Sequence, residues 1–179
     1  MANRTEIRLS GSGGQGLILA SIILAEAATA AGKFVTQSQS YGPEARGGKC
    51  KAEVVISEQE ILFPKVRKPG FLLALTQDAL DSYAVGIPDN CIVMVDEGLR
   101  IPSSISNNKV IMVPILRAAE EGVGKSMTAN IVAVAAVNHV LKIATPEQLE
   151  EAVMQHIPKG AEEMNRKALA IGMDMINKY

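Results

Sequence analysis

The chain has 179 residues, of which 47% are hydrophobic and 21% charged, and its formal net charge is −1. This composition predicts one globular domain, and the near-zero charge disfavours a nucleic-acid-binding domain or a polybasic membrane anchor. Aromatic residues make up only 3% and Trp is absent, which also disfavours a protein that stacks single-stranded nucleic acid.

The first two elements have different hydrophobic patterns. Residues 6–10 alternate apolar and polar side chains, which predicts a strand. Residues 15–31 are apolar nearly all round, which predicts a helix covered on several sides and ended by Gly32. The apolar run is too short to span a bilayer and contains Glu26, so a buried helix is the better interpretation.

Further strands and helices follow in alternation, and then helices alone. The predicted strands are residues 34–39, 49–57, 71–75, 91–96 and 109–113. The second of these is expected to be antiparallel and at an edge, and the last three have the apolar character of buried parallel strands. The predicted helices are residues 77–85 after an N-cap at Thr76, 127–143, 146 to about 157 after an N-cap at Thr145, and about 160–178. The pattern predicts a single α/β domain over residues 1–179, a three-layer sandwich with a mostly parallel sheet flanked by helices and a helical C-terminal part.

The sequence GSGGQG follows the first strand and opens the first helix. Its residues are Gly11, Ser12, Gly13, Gly14, Gln15 and Gly16. Backbone amides at such a helix N-terminus favour an anion, which makes these six residues candidates for cofactor binding. A dinucleotide site also needs a carboxylate at the end of the second strand, and residues 36–39 read Thr-Gln-Ser-Gln. NAD is therefore disfavoured, which leaves a phosphate or backbone-contact role, or close helix–strand packing alone.

The sequence SYGPEARGG follows the second strand. Its candidate residues are Ser40, Tyr41, Gly42, Pro43, Glu44, Arg46, Gly47 and Gly48. Strand polarity should place this loop at the same carboxyl edge as GSGGQG, where open α/β sheets bind ligands. We interpret it as an interface or active-site loop.

Two further motifs have ordinary explanations. EGVGKS, at residues 121–126, has Ala119 where a Walker A motif requires glycine. We expect a turn that caps the next helix, although Lys125 remains a candidate for contact with a ligand phosphate. KVRK, at residues 65–68, is either a solvated loop or a contact for an acidic partner or anionic cofactor.

No complete catalytic or metal-binding set is present in the sequence. His139 and His156 lack metal-ligand spacing, and two cysteines, Cys50 and Cys91, are too few for an iron–sulfur cluster. Both cysteines are expected to be buried free thiols, as in a reducing compartment. The first ten residues lack the apolar core of a signal peptide, so the expected location is the cytoplasm.

Together, GSGGQG and SYGPEARGG, spaced about 25 residues apart after the first strand, closely resemble the gamma subunit of 2-oxoacid:ferredoxin oxidoreductases. The resemblance extends over nearly the whole chain, including the Gly-Lys-Ser stretch before the long apolar helix. One departure is Gly70, where the resemblance leads us to expect the second residue of a Pro-Asp pair after Pro69.

The resemblance implies a subunit that is inactive alone, carries no catalytic residue or cofactor by itself, and completes the complex near its active site and coenzyme A region. The complex would use thiamine diphosphate, iron–sulfur clusters and coenzyme A to decarboxylate a 2-oxoacid oxidatively and reduce ferredoxin. It implies alpha, beta and ferredoxin-like delta subunits as partners, with no nucleic acid and no membrane. The absence of a ferredoxin-like extension is most like the 2-oxoglutarate type, which forms succinyl-CoA, with pyruvate and 2-oxoisovalerate as the other substrates.

Two alternatives remain from the residues themselves. One is a free-standing oxidoreductase that binds a nucleotide at GSGGQG, and the other is a scaffold domain with no catalytic role. The two apolar helices, residues 17–31 and 127–143, indicate either that one of them faces a partner or that both pack in the core.

Overall fold

The computed structural model describes residues 4–41 and 48–178, and these form one six-stranded sheet covered by helices on both faces. The strands are β1 (Arg4–Ser12), β2 (Phe34–Tyr41), β3 (Lys49–Ser57), β4 (Phe71–Ala74), β5 (Ile92–Asp96) and β6 (Lys109–Val113). The helices are α1 (Leu17–Ala30), α2 (Gln77–Tyr83), α3 (Ile115–Arg117), α4 (Ala129–Leu141), α5 (Pro146–Met154) and α6 (Glu162–Ile176). The α/β class and the element order predicted from the sequence are confirmed.

The strand order is β2-β3-β1-β4-β5-β6. Strands β1, β4, β5 and β6 are mutually parallel, whereas β3 is antiparallel to both β1 and β2. The predicted antiparallel direction of β3 is therefore correct, but its predicted edge position is wrong. Strand β3 lies between β2 and β1, which explains why its residues from Ala52 to Ser57 are all buried.

Two local sequence signals determine helix ends as expected. Gly32, with φ of 78°, ends α1, and the amide of Lys33 donates back to the carbonyl of Ala28 at 3.1 Å. The Thr145 hydroxyl accepts from the amide of Gln148, whose side chain accepts from the Thr145 amide, so a capping box begins α5. Helix α5 nevertheless ends at Met154, three residues before the predicted end.

The layers on the two faces of the sheet are unequal. One apolar cluster joins the side chains of β1 to β6 on one face with α1 and α4, and α5 and α6 pack outside these two helices. A smaller cluster on the other face joins Leu72, Val93 and Val95 to α2. The three-layer prediction is confirmed, with most of the core on the α1 side.

The long apolar helix α4 lies inside this larger layer. Ten consecutive residues, 129–138, are buried, and α6 crosses so closely that a Cβ at Gly172 would collide with the carbonyl oxygen of Val132. Core packing therefore explains the apolar surface of α4, and no partner is needed to cover it. No helix in the described part of the chain is long and apolar enough to cross a membrane.

Candidate functional site at the carboxyl edge of the sheet

The glycine turn, residues 11–16, connects β1 to α1. Gly11 and Ser12 belong to β1, the turn itself begins at Gly13, and Gly16 precedes the first residue of α1. The side chain of Gln15 folds back, and its Oε1 accepts a hydrogen bond from the Ser12 amide at 2.8 Å. The strand thus extends two residues beyond its predicted C-terminal end, and the turn is correspondingly tighter.

Both the backbone conformation and the packing at position 16 require glycine. Its φ of 72° lies in the left-handed region that favours glycine. A Cβ built on it would lie 2.7 Å from Nδ2 and 3.0 Å from Cγ of Asn130. The packing explanation and the tight-turn explanation therefore both apply at this position. Gly14 differs, because its φ is 97° but a Cβ there would have nothing within 4 Å.

The N-terminus of α1 is open to an anion. The first amides of a helix have no intrahelical acceptor, and the helix dipole places partial positive charge there. No side chain among the described residues caps α1, and its first turn contains no acidic residue. The glycine turn can therefore offer backbone N–H groups to a negatively charged group, and the role of GSGGQG in cofactor binding stays a prediction.

The second motif, residues 40–48, begins at the same edge. Ser40 and Tyr41 end β2, and the amide of Gly13 donates to the carbonyl of Gly48 at 3.0 Å. The two sequence motifs therefore meet, as strand polarity predicts. Gly42, Pro43, Glu44, Arg46 and Gly47 lie outside the described residues, and their roles stay predictions.

A cleft of about 360 Å³ lies between the glycine turn and the helices α4 and α6. Its apolar lining consists of Leu19, Met127, Ile131, Ile157 and Met164, together with Pro158 and Ala161. Gly14, Gly16 and the exposed Lys125 also line it. An apolar cleft with a few convergent polar groups is the usual form of a small-molecule site.

Two buried asparagines on neighbouring helices also face this cleft. Asn130 is 6% exposed, and its Oδ1 accepts from the Ile131 amide at 2.9 Å, but its Nδ2 has no acceptor among the described residues. Asn165 is 4% exposed and donates from Nδ2 to the carbonyl of Ala161 at 2.8 Å. The amide of Asn130 is therefore available to a ligand beside the N-terminus of α1. Sequence analysis missed it, because one asparagine in an apolar helix gives no signal of its neighbours.

A charged cluster lies on the opposite face of the sheet. The carboxylate of Glu53 accepts from Arg8 Nε at 2.7 Å and from Lys51 Nζ at 3.3 Å. Both cations lie about 6 Å from the centre of the Tyr83 ring. Burial raises the pKa of the Tyr83 hydroxyl, with smaller contributions from neighbouring ionisable groups. The alternation of residues 6–10 predicted a polar face here, but strand pairing was needed to bring Arg8 opposite Glu53.

The topology argues against a dinucleotide site. In a Rossmann domain the second strand lies beside the first, so that its terminal carboxylate reaches the ribose. Here β3 separates β2 from β1, and two strand spacings place the end of β2 roughly 9.5 Å away. Neither the residue types at positions 36–39 nor their position fits NAD.

The structure also describes the EGVGKS motif and the surroundings of His156. Gly124, with φ of 88°, ends a π-type turn over Ala118–Val123, and a 3₁₀ turn over Ser126–Thr128 follows. The predicted turn at EGVGKS is confirmed, but no side chain within it caps α4. His156 Nε2 lies 2.7 Å from a carboxylate oxygen of Glu26 at the margin of the cleft.

The two cysteines are buried and unpaired. Cys50 is 5% exposed and Cys91 fully buried, as predicted. Burial raises the pKa of both thiols, that of Cys91 to about 11. Within residues 4–41 and 48–178, no group of three metal-ligating side chains is assembled.

Comparison with known proteins gives near-full-length matches. The profile of the family "Pyruvate ferredoxin/flavodoxin oxidoreductase" matches residues 6–175. The 2-oxoglutarate synthase subunit KorC of Methanocaldococcus jannaschii is 45% identical over 175 residues, which are 96% of this chain and 94% of that protein. The pyruvate/ketoisovalerate oxidoreductases common subunit gamma of Pyrococcus furiosus is 31% identical over 171 residues, which are 91% of this chain and 92% of that protein.

A solved structure extends the similarity to the whole fold. The gamma subunit of a keto/oxoacid ferredoxin oxidoreductase from Geobacter sulfurreducens superposes with a TM-score of 0.89 at 40% identity. The alignment covers 99% of this chain and 98% of that one. Both proteins therefore have the same arrangement of elements.

Proposed function

Because the chain belongs to the pyruvate ferredoxin/flavodoxin oxidoreductase family, we propose that it is the gamma-type subunit of a 2-oxoacid:ferredoxin oxidoreductase that acts on 2-oxoglutarate. The observation that carries this proposal is the reciprocal near-full-length match to a 2-oxoglutarate synthase subunit. Such a match is expected of a dedicated subunit, and it disfavours both a free-standing nucleotide-binding enzyme and an unrelated scaffold domain.

The proposed complex forms succinyl-CoA and transfers the electrons to ferredoxin. The chain has two cysteines, both buried, so it cannot supply the four thiolates of a cluster. Other subunits, of the alpha, beta and ferredoxin-like delta kinds, would hold the thiamine diphosphate and the iron–sulfur clusters. The reduced thiols agree with a cytoplasmic complex.

We further propose that this chain contributes the glycine turn and the cleft to the binding of coenzyme A. The coenzyme combines anionic phosphates with a long, largely uncharged arm, and its thiol accepts the acyl group. The open N-terminus of α1 and Lys125 suit a phosphate. The apolar cleft wall and the Nδ2 of Asn130 suit the amide-bearing arm.

A matched pair of variants at Gly14 tests this role. Asn and Asp have the same shape, both tolerate a positive φ, and a side chain there meets nothing within 4 Å of its Cβ. Gly14→Asp adds a carboxylate to the anion-binding turn, whereas Gly14→Asn does not. In the reconstituted complex we expect the KM for coenzyme A to be about tenfold higher in the Asp variant, a difference of about 1.4 kcal/mol.

The KM for 2-oxoglutarate serves as the internal control and should be equal in the two variants. Equal KM values for coenzyme A would contradict the assignment of the turn. Turnover of the wild-type complex with 2-oxoglutarate, pyruvate and 2-oxoisovalerate tests the substrate separately, and a preference for either of the last two would contradict that part of the proposal.

A further inference from the structure

The connection between β3 and β4, residues 58–70, contains neither helix nor strand, but its centre is held firmly. We call residues 62–68, Leu-Phe-Pro-Lys-Val-Arg-Lys, the basic–apolar segment. Arg4 Nη2 donates to the carbonyl of Phe63 at 3.0 Å and to that of Lys65 at 3.4 Å. Glu6 Oε2 accepts from the amides of Arg67 and Lys68 at 2.6 and 2.8 Å. Two strand residues therefore fix the backbone of the segment at both ends.

The segment is also attached to β2 and to the core. The Thr36 hydroxyl donates to the carbonyl of Pro64 at 3.3 Å, and Val66 is 9% exposed. Thr36 and Glu6 both pair with Val55 of β3, so the segment crosses the face of β2, β3 and β1 opposite α1. Its conformation is pre-organised, which reduces the entropy lost when a partner binds.

This fixed backbone presents large apolar side chains to solvent. Leu62 is 89% exposed and Phe63 is 46% exposed. Phe34, at the same end of the sheet, is 51% exposed. Side chains of this kind, grouped on a rigid support, are typical of the anchors of protein–protein interfaces.

The same segment carries three cations and no acid. Lys65, Arg67 and Lys68 are exposed, and within residues 4–41 and 48–178 none has a carboxylate within 4.0 Å. The Arg67 guanidinium lies 5.2 Å from the centre of the Phe63 ring. The carboxylate beneath them, Glu6, is used by backbone amides. The positive charge therefore faces outward, around the apolar side chains.

We propose that the basic–apolar segment is a docking element for another subunit of the complex, which receives Leu62 and Phe63 in an apolar pocket rimmed by carboxylates. This inference rests on the proposed function. A rim of carboxylates is inferred because a net charge of +3 over seven residues is complementary to a negatively charged surface. The β1 residues that hold the segment, Arg4 and Glu6, precede the glycine turn by about seven residues, roughly 23 Å along the strand. Substitutions in the segment should therefore leave the cleft intact.

The experiment measures assembly of the complex from separately purified subunits by native mass spectrometry over a range of chain concentrations. Leu62→Ser/Phe63→Ser removes the apolar anchors, and Lys65→Glu/Arg67→Glu reverses the charge. Val85→Ser, at a 71% exposed valine after α2, and Lys109→Glu/Lys167→Glu, at exposed lysines elsewhere, are the matched controls. Far-ultraviolet circular dichroism and urea unfolding verify that each variant is folded.

We expect each test variant to raise the apparent Kd of assembly at least tenfold, and each control to change it less than twofold. The defect of the charge-reversed variant should shrink as NaCl rises from 50 to 500 mM, because salt screens exposed charges. Wild-type affinity in both test variants would overturn the docking inference while the proposed function stands. Failure of the wild-type chain to assemble would overturn both.

Experiments on the isolated chain test two other binding partners for the segment, a lipid surface and a second copy of the chain. Sedimentation with vesicles of 30% phosphatidylserine in phosphatidylcholine, lost in Leu62→Ser/Phe63→Ser, would overturn the inference in favour of a lipid surface. A dimer of the isolated chain that is lost in the same variant would overturn it in favour of a second copy. The inference expects neither vesicle binding nor dimerisation.

Discussion

Replacing Gly16 by alanine tests whether the glycine turn and α4 form one unit. The substitution places a methyl group at a φ of 72° and 2.7 Å from Nδ2 of Asn130. The asparagine side chain is buried, and its Oδ1 accepts from the Ile131 amide, so displacing it costs that hydrogen bond. Either the Asn130 side chain must shift into the cleft, α1 must move away from α4, or the turn must change its conformation, and each of these disturbs the mouth of the cleft.

The expected cost has two parts. A left-handed conformation costs a residue with a Cβ about 1–2 kcal/mol, and overpacking of a well-packed site costs about 1–3 kcal/mol. We therefore expect Gly16→Ala to lower the free energy of unfolding by about 2–5 kcal/mol. Gly14→Ala is the matched control, because its φ is also positive but its Cβ would have open space. Its cost should be the backbone part alone, about 1–2 kcal/mol.

Urea unfolding of the two variants measures this difference in cost directly. Repeating the Gly16→Ala substitution in an Asn130→Ala chain tests whether the contact with Asn130 causes it. Asn130→Ala removes the Nδ2 and Cγ atoms from the contact and leaves only the Cβ, 3.1 Å away. In a double-mutant cycle, Gly16→Ala should therefore cost less in the Asn130→Ala background than in the wild type. If Gly16→Ala and Gly14→Ala were equally destabilising, and the cycle showed no coupling, the steric explanation would be refuted.

Three further predictions concern the sheet and the helices. Thr145→Ala removes the hydroxyl of the capping box and should cost about 1 kcal/mol in urea unfolding, whereas Thr145→Ser should be nearly neutral; equal losses would contradict the cap. Glu53→Gln leaves Arg8 without its carboxylate and should cost about 1–3 kcal/mol in thermal or urea unfolding, a loss that Arg8→Met in the same chain should partly reverse. Burial raises the pKa of Cys91 from 9.0 to about 11, so the thiol ionises at a lower pH in the unfolded chain than in the folded one. The stability due to the buried neutral thiol is therefore lost as pH rises from 9 towards 11. The difference in unfolding free energy between wild type and Cys91→Ala should fall over that range, and a constant difference would contradict the assignment.

Much of the fold follows from local patterns in the sequence. The alternation in β1, the apolar runs of β4 to β6 and the caps at Thr76 and Thr145 are local signals, and each produced the expected element. Strand order is a property of tertiary structure and has no such signal. Strand β3 reads as an edge strand because it begins with alternating polar residues, yet β2 covers its other side.

The candidate site was only half predictable for the same reason. The glycines of residues 11–16 identify a tight turn, because few other residues tolerate its backbone. Asn130 could not be found, because it is separated from Gly16 by more than 100 residues and the contact depends on how α4 packs against α1. The KVRK motif was visible in the sequence, but the exposure of Leu62 and Phe63 on a fixed backbone emerged only with the hydrogen bonds of Arg4 and Glu6.

Reduction of ferredoxin by the reconstituted complex, assayed with and without this chain, tests the central claim most directly. The assay contains 2-oxoglutarate, coenzyme A, ferredoxin and the candidate partner subunits. We predict turnover only when the chain is present, and faster turnover with 2-oxoglutarate than with pyruvate or 2-oxoisovalerate. Equal turnover in its absence would contradict its assignment as a required subunit of the enzyme.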